Sequence, residues 1–388
     1  AGIEVDPSVV EIPVSFVIHD LTLPRPRPLR FCTWSVITHQ FEGMEDAVRE
    51  DLIEHANTVF IGPSPNAKFD EAGNLTAPID YQRHDKYVRE YAPHGFILFI
   101  GAQNGVQGPK FLSDAWMKAY EIYLRDWVKH LAQLGVGYEN YALYPYDEPN
   151  VLGSELVENL LAVGLATRKI DPNILIYTDP TTGSTPKLIE YLAPVIDIWC
   201  PSAELLERHE EQIVPLMKRT GKEVWFYDAA GHAKTLSTLG IYRWRPWEAW
   251  RLGFTGCGHW VYSHHPYDLW TGPNPSVNYY PTVYDGKGVV TSKRWEACRE
   301  GAEDYEYLCL LREAIKMAEE SGADSARLAE ARKILDRAPE FQDLLQDVGR
   351  RIPLNTDKVP LYEKATRQLN EYRNEIVRMC IKLNKTNP

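Results

Sequence analysis

The chain has 388 residues, 44% of them hydrophobic, which is enough for a large core and for two or three domains or one large barrel with additions. Its formal net charge of −12 argues against nucleic acid as a partner, because phosphate neutralisation needs clustered Lys and Arg. No apolar run reaches about 18 residues, so no membrane span is expected. The six cysteines form no CxxC pair or zinc-ligand spacing, so neither a bound metal nor a disulfide framework is implied.

The first elements do not look like the start of a domain. Residues 11–20 form a β-type stretch with partial alternation, followed by the alternating prolines of Leu23-Pro24-Arg25-Pro26-Arg27-Pro28, which are stiff and extended. A lone strand needs a sheet, so this segment reads as the remnant of a β-sandwich joined by a linker. No signal peptide is visible, and the chain begins at Ala1 rather than Met, which leaves an extracytoplasmic or secreted location open.

From Leu29 a repeated rhythm of short apolar strand, loop and amphipathic helix sets in. The strand candidates are 30–35, 58–62, 96–101, 141–147, 174–179, 196–201, 223–228 and 255–263. Helix candidates between them cover 43–56, 80–92, 113–134, 154–170, 185–193, 203–220 and 245–252. In the third, Trp116, Tyr120, Tyr123, Leu124, Trp127, Val128, Leu131 and Leu134 make one wide apolar stripe. Eight strands alternating with helices, none an obvious edge, predict a (β/α)8 TIM barrel. A Pro-, Gly- and Tyr-rich loop, 264–292, follows the eighth strand, and from Lys293 the chain turns helical. The expected organisation is therefore a strand remnant and linker over 1–27, a catalytic barrel over 28–303 and a C-terminal helical region over 304–388.

In such barrels the active site lies at the carboxyl ends of the strands. There the sequence places Trp34 with His39 beyond it, Asn104, then Tyr146-Asp147-Glu148, Asp179, Trp225, Tyr227 and Asp228 with His232 after them, and Trp260 and Tyr262. Aromatic rings around carboxylates suit a sugar, whose apolar faces stack on flat rings while its hydroxyls bind acids and amides. Glycosidic cleavage usually needs two carboxyl groups, one neutral and able to protonate the leaving oxygen, the other anionic. Asp147 and Glu148 are adjacent, and like-charge repulsion raises one pKa. Neighbours on an ideal strand point to opposite faces, so both reach one site only where the strand curls at its end. Asp228 is the rival second carboxylate, and equally a loop-ordering residue. Arg243 is read as a substrate ligand and Arg245 as structural, and the Asp304–Glu306 carboxylates as docking a helix on the barrel. No HxH or HExxH motif supports a metal, and no cofactor is expected.

Several segments together resemble glycoside hydrolase family 123 and its wider group of barrel domains. Tyr146-Asp147-Glu148-Pro149 is similar to that family's Asp-Glu-Pro motif. The stretch Arg243–Trp250 followed by Gly253, Gly256 and Trp260 is similar to its entry to strand eight. The run from Arg294 to Leu308, with Trp295-Glu296-Ala297 and Glu303-Asp304-Tyr305-Glu306-Tyr307, closely resembles the helix after the barrel. The resemblance covers about residues 29–312, and Asp228 departs from its pattern. It implies a retaining exo-β-N-acetylgalactosaminidase, or an enzyme for another β-linked 2-acetamido sugar, in which the substrate's acetamido oxygen is the nucleophile. Glu148 would then be the acid/base and Asp147 would stabilise the acetamido group. Two alternatives stand beside this: a two-carboxylate glycosidase using Glu148 and Asp228, and a carbohydrate-binding barrel without activity. The expected partner is an oligosaccharide or glycoconjugate, and the 264–292 loop and the 323–388 tail are candidates either for a homo-oligomer interface or for the aglycone side of the site.

Overall fold

The structure is a computed structural model that describes residues 13–34, 43–151, 153–229, 237–262, 283–284, 288–348 and 359–384. Eight parallel strands alternate with helices. They are β1 (Arg30–Cys32), β2 (Val59–Pro63), β3 (Phe96–Ile100), β4 (Tyr141–Tyr144), β5 (Tyr177–Thr178), β6 (Ile198–Trp199), β7 in two pieces (Glu223–Val224 and Tyr227–Asp228) and β8 (Gly256–His259). The ring can be followed pair by pair. β1 lies between β8 and β2 through Phe31↔Cys257 and Cys32↔Val59. β2 pairs β3, and β3 pairs β4. A parallel bridge, Leu143↔Ile176, carries the sheet to β5, which pairs β6. β6 pairs the first piece of β7, and Tyr227↔Gly258 returns the sheet to β8. Every pairing is parallel, so the fold is the (β/α)8 barrel expected.

The outer layer holds α1 (Glu45–Glu54), α2 (Gln82–Tyr91), α3 (Asp114–Gln133), α4 (Ser154–Ile170), α5 (Pro186–Leu192), α6 (Ala203–Thr220) and α7 (Trp244–Leu252), the last entered through a π-helical turn, Leu239–Arg243. Hydroxyl caps start several of them. Ser113 Oγ accepts from Trp116 N–H, and Ser202 Oγ from Leu205 N–H, each satisfying an orphan donor of the first turn. α3 buries the predicted stripe, Trp116, Tyr120, Tyr123, Leu124, Trp127 and Leu131, against outward residues of β3 and β4 such as Phe99, Tyr141 and Leu143. The inward residues Ala142, Tyr144, Tyr177, Ile198, Trp225 and Tyr227 fill the barrel itself. On β8 the inward positions are glycines. A Cβ on Gly256 would stand 2.6 Å from the Trp225 ring, and one on Gly258 would stand 2.4 Å from the Trp34 ring. The two indoles occupy the space that side chains on β8 would need.

After the barrel come α8 (Lys293–Glu320), α9 (Ser325–Leu335), α10 (Ala338–Asp347) and α11 (Val359–Asn384). The segment expected as one or two helices is the single helix α8, capped by Ser292 Oγ on Trp295 N–H. It runs unbroken past the expected boundary at 303/304, and one hydrophobic cluster joins barrel residues such as Phe31 and Trp247 to Phe341, Leu369 and Tyr372 of the tail. The 264–292 loop carries a short antiparallel ladder, Val283–Tyr284 with Val289–Val290, and its residues 264–282 and 285–287 lie outside the described residues. At the other end, residues 13–29 form no strand. Val14, Phe16, Val17 and Ile18 are exposed, in keeping with a β-type segment that has no sheet to join among the described residues. Arg27 anchors the linker on Glu306 of α8 at 2.5 Å. All six cysteines are free thiols, and no described helix is long and apolar enough to cross a membrane.

Candidate active site

At the carboxyl end of β4, Tyr144 is the last inward side chain of the strand. Its hydroxyl lies 2.5 Å from Asp147 Oδ1 and also hydrogen-bonds Asp179 Oδ2, at the end of β5. The other oxygen of Asp179 accepts the backbone N–H of Glu148 at 3.0 Å. Glu148 has φ +39°, a left-handed conformation that non-glycine residues rarely adopt and that tends to be held in place at functional sites. The strand has ended at Tyr144, and the turn beyond it frees Glu148 from strand alternation. Glu148 reaches across the barrel to β7, where the Tyr227 hydroxyl donates to Glu148 Oε1. Asp147, more exposed, stays with Tyr144.

The electrostatics set two of these carboxyls apart. Burial raises the pKa of Glu148, and the charges of Asp147 and Glu204 raise it further, against the hydrogen bond from Tyr227. Burial pushes Asp179 well above the usual carboxylate range, with the charge of Asp147 adding to it. Glu148 is therefore suited to hold and give up a proton. The rim of the site is aromatic. Trp34, itself at φ +42°, packs its ring 5.5 Å from that of Tyr227, and the half-buried Trp260 rests on the same inner cluster.

Of the predicted residues, the structure brings together Glu148, Asp147, Asp179, Tyr227, Trp34 and Trp260. It places others elsewhere. Trp225 lies two residues deeper on β7, against Phe96 and Tyr177, and its indole N–H donates to Glu223, so it belongs to the barrel floor. Asp228 follows the opposite parity to Tyr227 and stands beside α7, with Arg245 Nη2 at 3.9 Å from its carboxylate and 3.2 Å from its carbonyl. Arg243, expected to bind substrate, is buried and grips Asp304 through Nε at 2.7 Å and Glu300 through Nη1 at 2.6 Å, which is a structural tie to α8. Tyr262 is also a correction. Its hydroxyl donates to Asp51 of α1 and its ring meets Trp295 of α8, outside the barrel. Tyr146 is half-buried and takes a hydrogen bond from Gln103. Asn104 is exposed on the turn after β3. His39 and His232 lie outside the described residues.

Three participants escaped the sequence reading. Tyr144 shares the inward parity of Ala142, and that signal was available in the sequence. Thr181 hydrogen-bonds Tyr227, and its backbone is held by Asn150 Oδ1 at 3.1 Å. Glu204, in the first turn of α6, accepts from Thr182 Oγ1 at 2.7 Å and adds a third carboxylate near Glu148. Neither of these two has a local sequence signal.

One set of side chains has metal-ligand composition among the described residues. His84, Asp85 and His130, on α2 and α3, have their ligand atoms within 4.8 Å of one another. His84 Nε2 accepts the indole N–H of Trp127 at 2.8 Å, so its proton sits on Nδ1, facing Asp85 Oδ1 at 3.1 Å. His130 Nε2 lies 2.7 Å from the same oxygen. These groups satisfy each other and leave His84 no lone pair for an ion.

No protein-family model and no curated protein matches the sequence. Among solved structures, the chain is similar to the endo-β-1,4-mannanase from Thermotoga petrophila, with 15% identity and a TM-score of 0.47 over 72% of this chain and 78% of that one. It is similar to a GH113 β-1,4-mannanase, with 14% identity and a TM-score of 0.43 over 71% and 98% of the two chains. The catalytic domain of a hyperthermophilic chitinase from Pyrococcus furiosus gives 14% identity and a TM-score of 0.42 over 73% and 96%. These matched proteins are glycoside hydrolases, and likeness at this level carries no inference about this chain's substrate or residue roles.

Proposed function

We propose that the protein is a glycoside hydrolase acting on β-linked 2-acetamido sugars with retention, by substrate-assisted catalysis. The observation that carries this reading is the turn after β4, where the left-handed conformation of Glu148 lets two adjacent carboxyls serve one barrel mouth with different partners, Tyr227 for Glu148 and Tyr144 for Asp147. Glu148, with its raised pKa, protonates the glycosidic oxygen. The acetamido oxygen of the substrate attacks the anomeric carbon and the glycosidic bond breaks, giving an oxazolinium ion. Asp147 accepts the acetamido N–H and offsets the positive charge. Glu148, now anionic, takes a proton from water as the water attacks the same carbon, and the configuration is retained after two inversions. No enzymic nucleophile is needed, which suits a site where Asp228 turns toward Arg245. An exo-acting β-N-acetylgalactosaminidase is the narrowest form of the proposal, carried by the sequence resemblance alone.

A panel of aryl β-glycosides with and without 2-acetamido groups tests it. Cleavage confined to the acetamido sugars, with the β-anomer as first product by NMR, is expected. Cleavage confined to sugars lacking the group would overturn the mechanism. No cleavage of any of them would favour a binding barrel.

A further inference from the structure

Asp179 sits directly behind the two carboxyls just described, and the sequence reading made it a substrate ligand. Its surroundings give it a different task. It is 1% exposed, and both its oxygens are already engaged, Oδ1 by the Glu148 backbone N–H and Oδ2 by the Tyr144 hydroxyl. The same Tyr144 oxygen is 2.5 Å from Asp147 Oδ1. A phenol has one proton, so it can donate to only one of two carboxylates. The second short contact requires a proton on the carboxyl side.

We propose that Asp179 is a positioning residue that works as a neutral carboxylic acid: its proton goes to the Tyr144 oxygen, Tyr144 donates to Asp147, and its free oxygen holds the backbone turn at Glu148. The proton belongs on Asp179 rather than Asp147 because Asp147 is exposed and Asp179 is not. The groups around Asp179 agree. Tyr144 and Asp147 face it from the end of β4, Tyr227 from β7, Cys32 from β1, Cys200 from β6, and Tyr177 from its own strand. None of these is a cation, so among these described residues nothing offsets an ionised carboxylate in a buried position. The arrangement fixes Asp147 through Tyr144 and keeps a negative charge from forming at the buried Asp179. This inference concerns the site of the proposed hydrolase, yet the protonation of Asp179 stands without that reading.

The test uses the whole protein and the variants Asp179→Asn, Asp179→Ala and Tyr144→Phe. An asparagine amide reproduces a protonated acid, with Nδ2 donating to Tyr144 and Oδ1 accepting from Glu148. Asp179→Asn is expected to lower kcat/KM on the cleaved aryl glycoside by no more than about tenfold, with the alkaline limb of the pH profile in place. Asp179→Ala and Tyr144→Phe are expected to lose about 100-fold, the weight of broken buried hydrogen bonds to charged groups. Tyr144→Phe makes the same comparison should Asp179→Ala not fold. Infrared difference spectra of wild type against Asp179→Asn at neutral pH give a readout independent of turnover, and the carbonyl stretch of a protonated carboxyl is expected in wild type alone. An absent band overturns the assignment, whether or not any glycoside is cleaved. So does an Asp179→Asn variant as impaired as Asp179→Ala, or one whose alkaline limb moves to lower pH, as loss of a negative charge near Glu148 would cause.

Discussion

Glu148 is held between burial and the charges of Asp147 and Glu204, which favour its proton, and the Tyr227 hydroxyl, which favours its anion. In the proposed mechanism Glu148 acts as general acid in its protonated form, so kcat/KM should fall as pH rises through its raised pKa. Tyr227→Phe removes the group that lowers that pKa, and the alkaline limb should move to higher pH in a pH–rate profile. Glu148→Gln should cost about 10²–10⁴-fold on substrates with poor leaving groups and far less on activated aryl ones, measured by steady-state kinetics. Equal losses on both would remove Glu148 from the acid role. At this scale the sequence was informative where chemistry and position coincide. Asp147 and Glu148 stand out because two carboxyls end a predicted strand. Arg243 misled because its partner Asp304 lies 61 positions downstream, beyond any local pattern. Asp228 and Tyr227 are neighbours whose opposite parity decides their surroundings, and only the register of β7 against β8 sets which of them faces inward.

Among the elements, the helices were the most legible. α4 and α6 occupy 154–170 and 203–220 as the apolar period predicts. The strands came out shorter than their apolar runs. β5 and β6 hold two residues each, because ladder pairing in the closed ring ends before the buried run does. Period-two alternation also cannot foresee the left-handed turn at Glu148, which decides where its side chain goes. β8 carries a separate constraint. Its inward glycines make room for Trp225 and Trp34, and any Cβ at Gly258 meets the Trp34 ring and the Cys32 carbonyl oxygen, at 2.9 Å. Gly258→Ala should cost about 1–3 kcal/mol by overpacking, read from urea denaturation. It should also raise KM, because the Trp34 ring that the new Cβ would displace packs on Tyr227 at the mouth.

For the molecule as a whole, barrel and tail share one core, and a buried charge cluster fastens them. Asp304 of α8 takes Arg243 from the π-turn and Arg373 from α11, the latter at 2.5 Å. Burial alone would raise the Asp304 pKa, but the two guanidinium groups outweigh it and lower it. A carboxyl depressed in the folded state contributes stability above its unfolded pKa of about 3.9 and loses it as pH falls through the folded value. Asp304→Asn leaves two arginines short of their counter-charge and should cost about 3–5 kcal/mol at pH 7. Denaturant melts should show that loss shrinking toward acid pH. The shared core predicts that barrel and tail melt in a single transition, which the boundary expected at 303/304 would not have suggested.

The hydrogen bond between Tyr227 and Glu148 joins residues 79 positions apart. Trp34, which packs on Tyr227, follows the first strand of the ring, and Tyr227 comes from the seventh. During synthesis the acidic pair after β4 emerges long before Tyr227 exists to meet it, and the ring cannot shut until β8 arrives. The complete candidate site is therefore among the last features the chain acquires. A fragment ending between β4 and β5 would keep several helices and the Asp-Glu pair, but without the Tyr227 clasp and the Asp179 support it would have no chemistry.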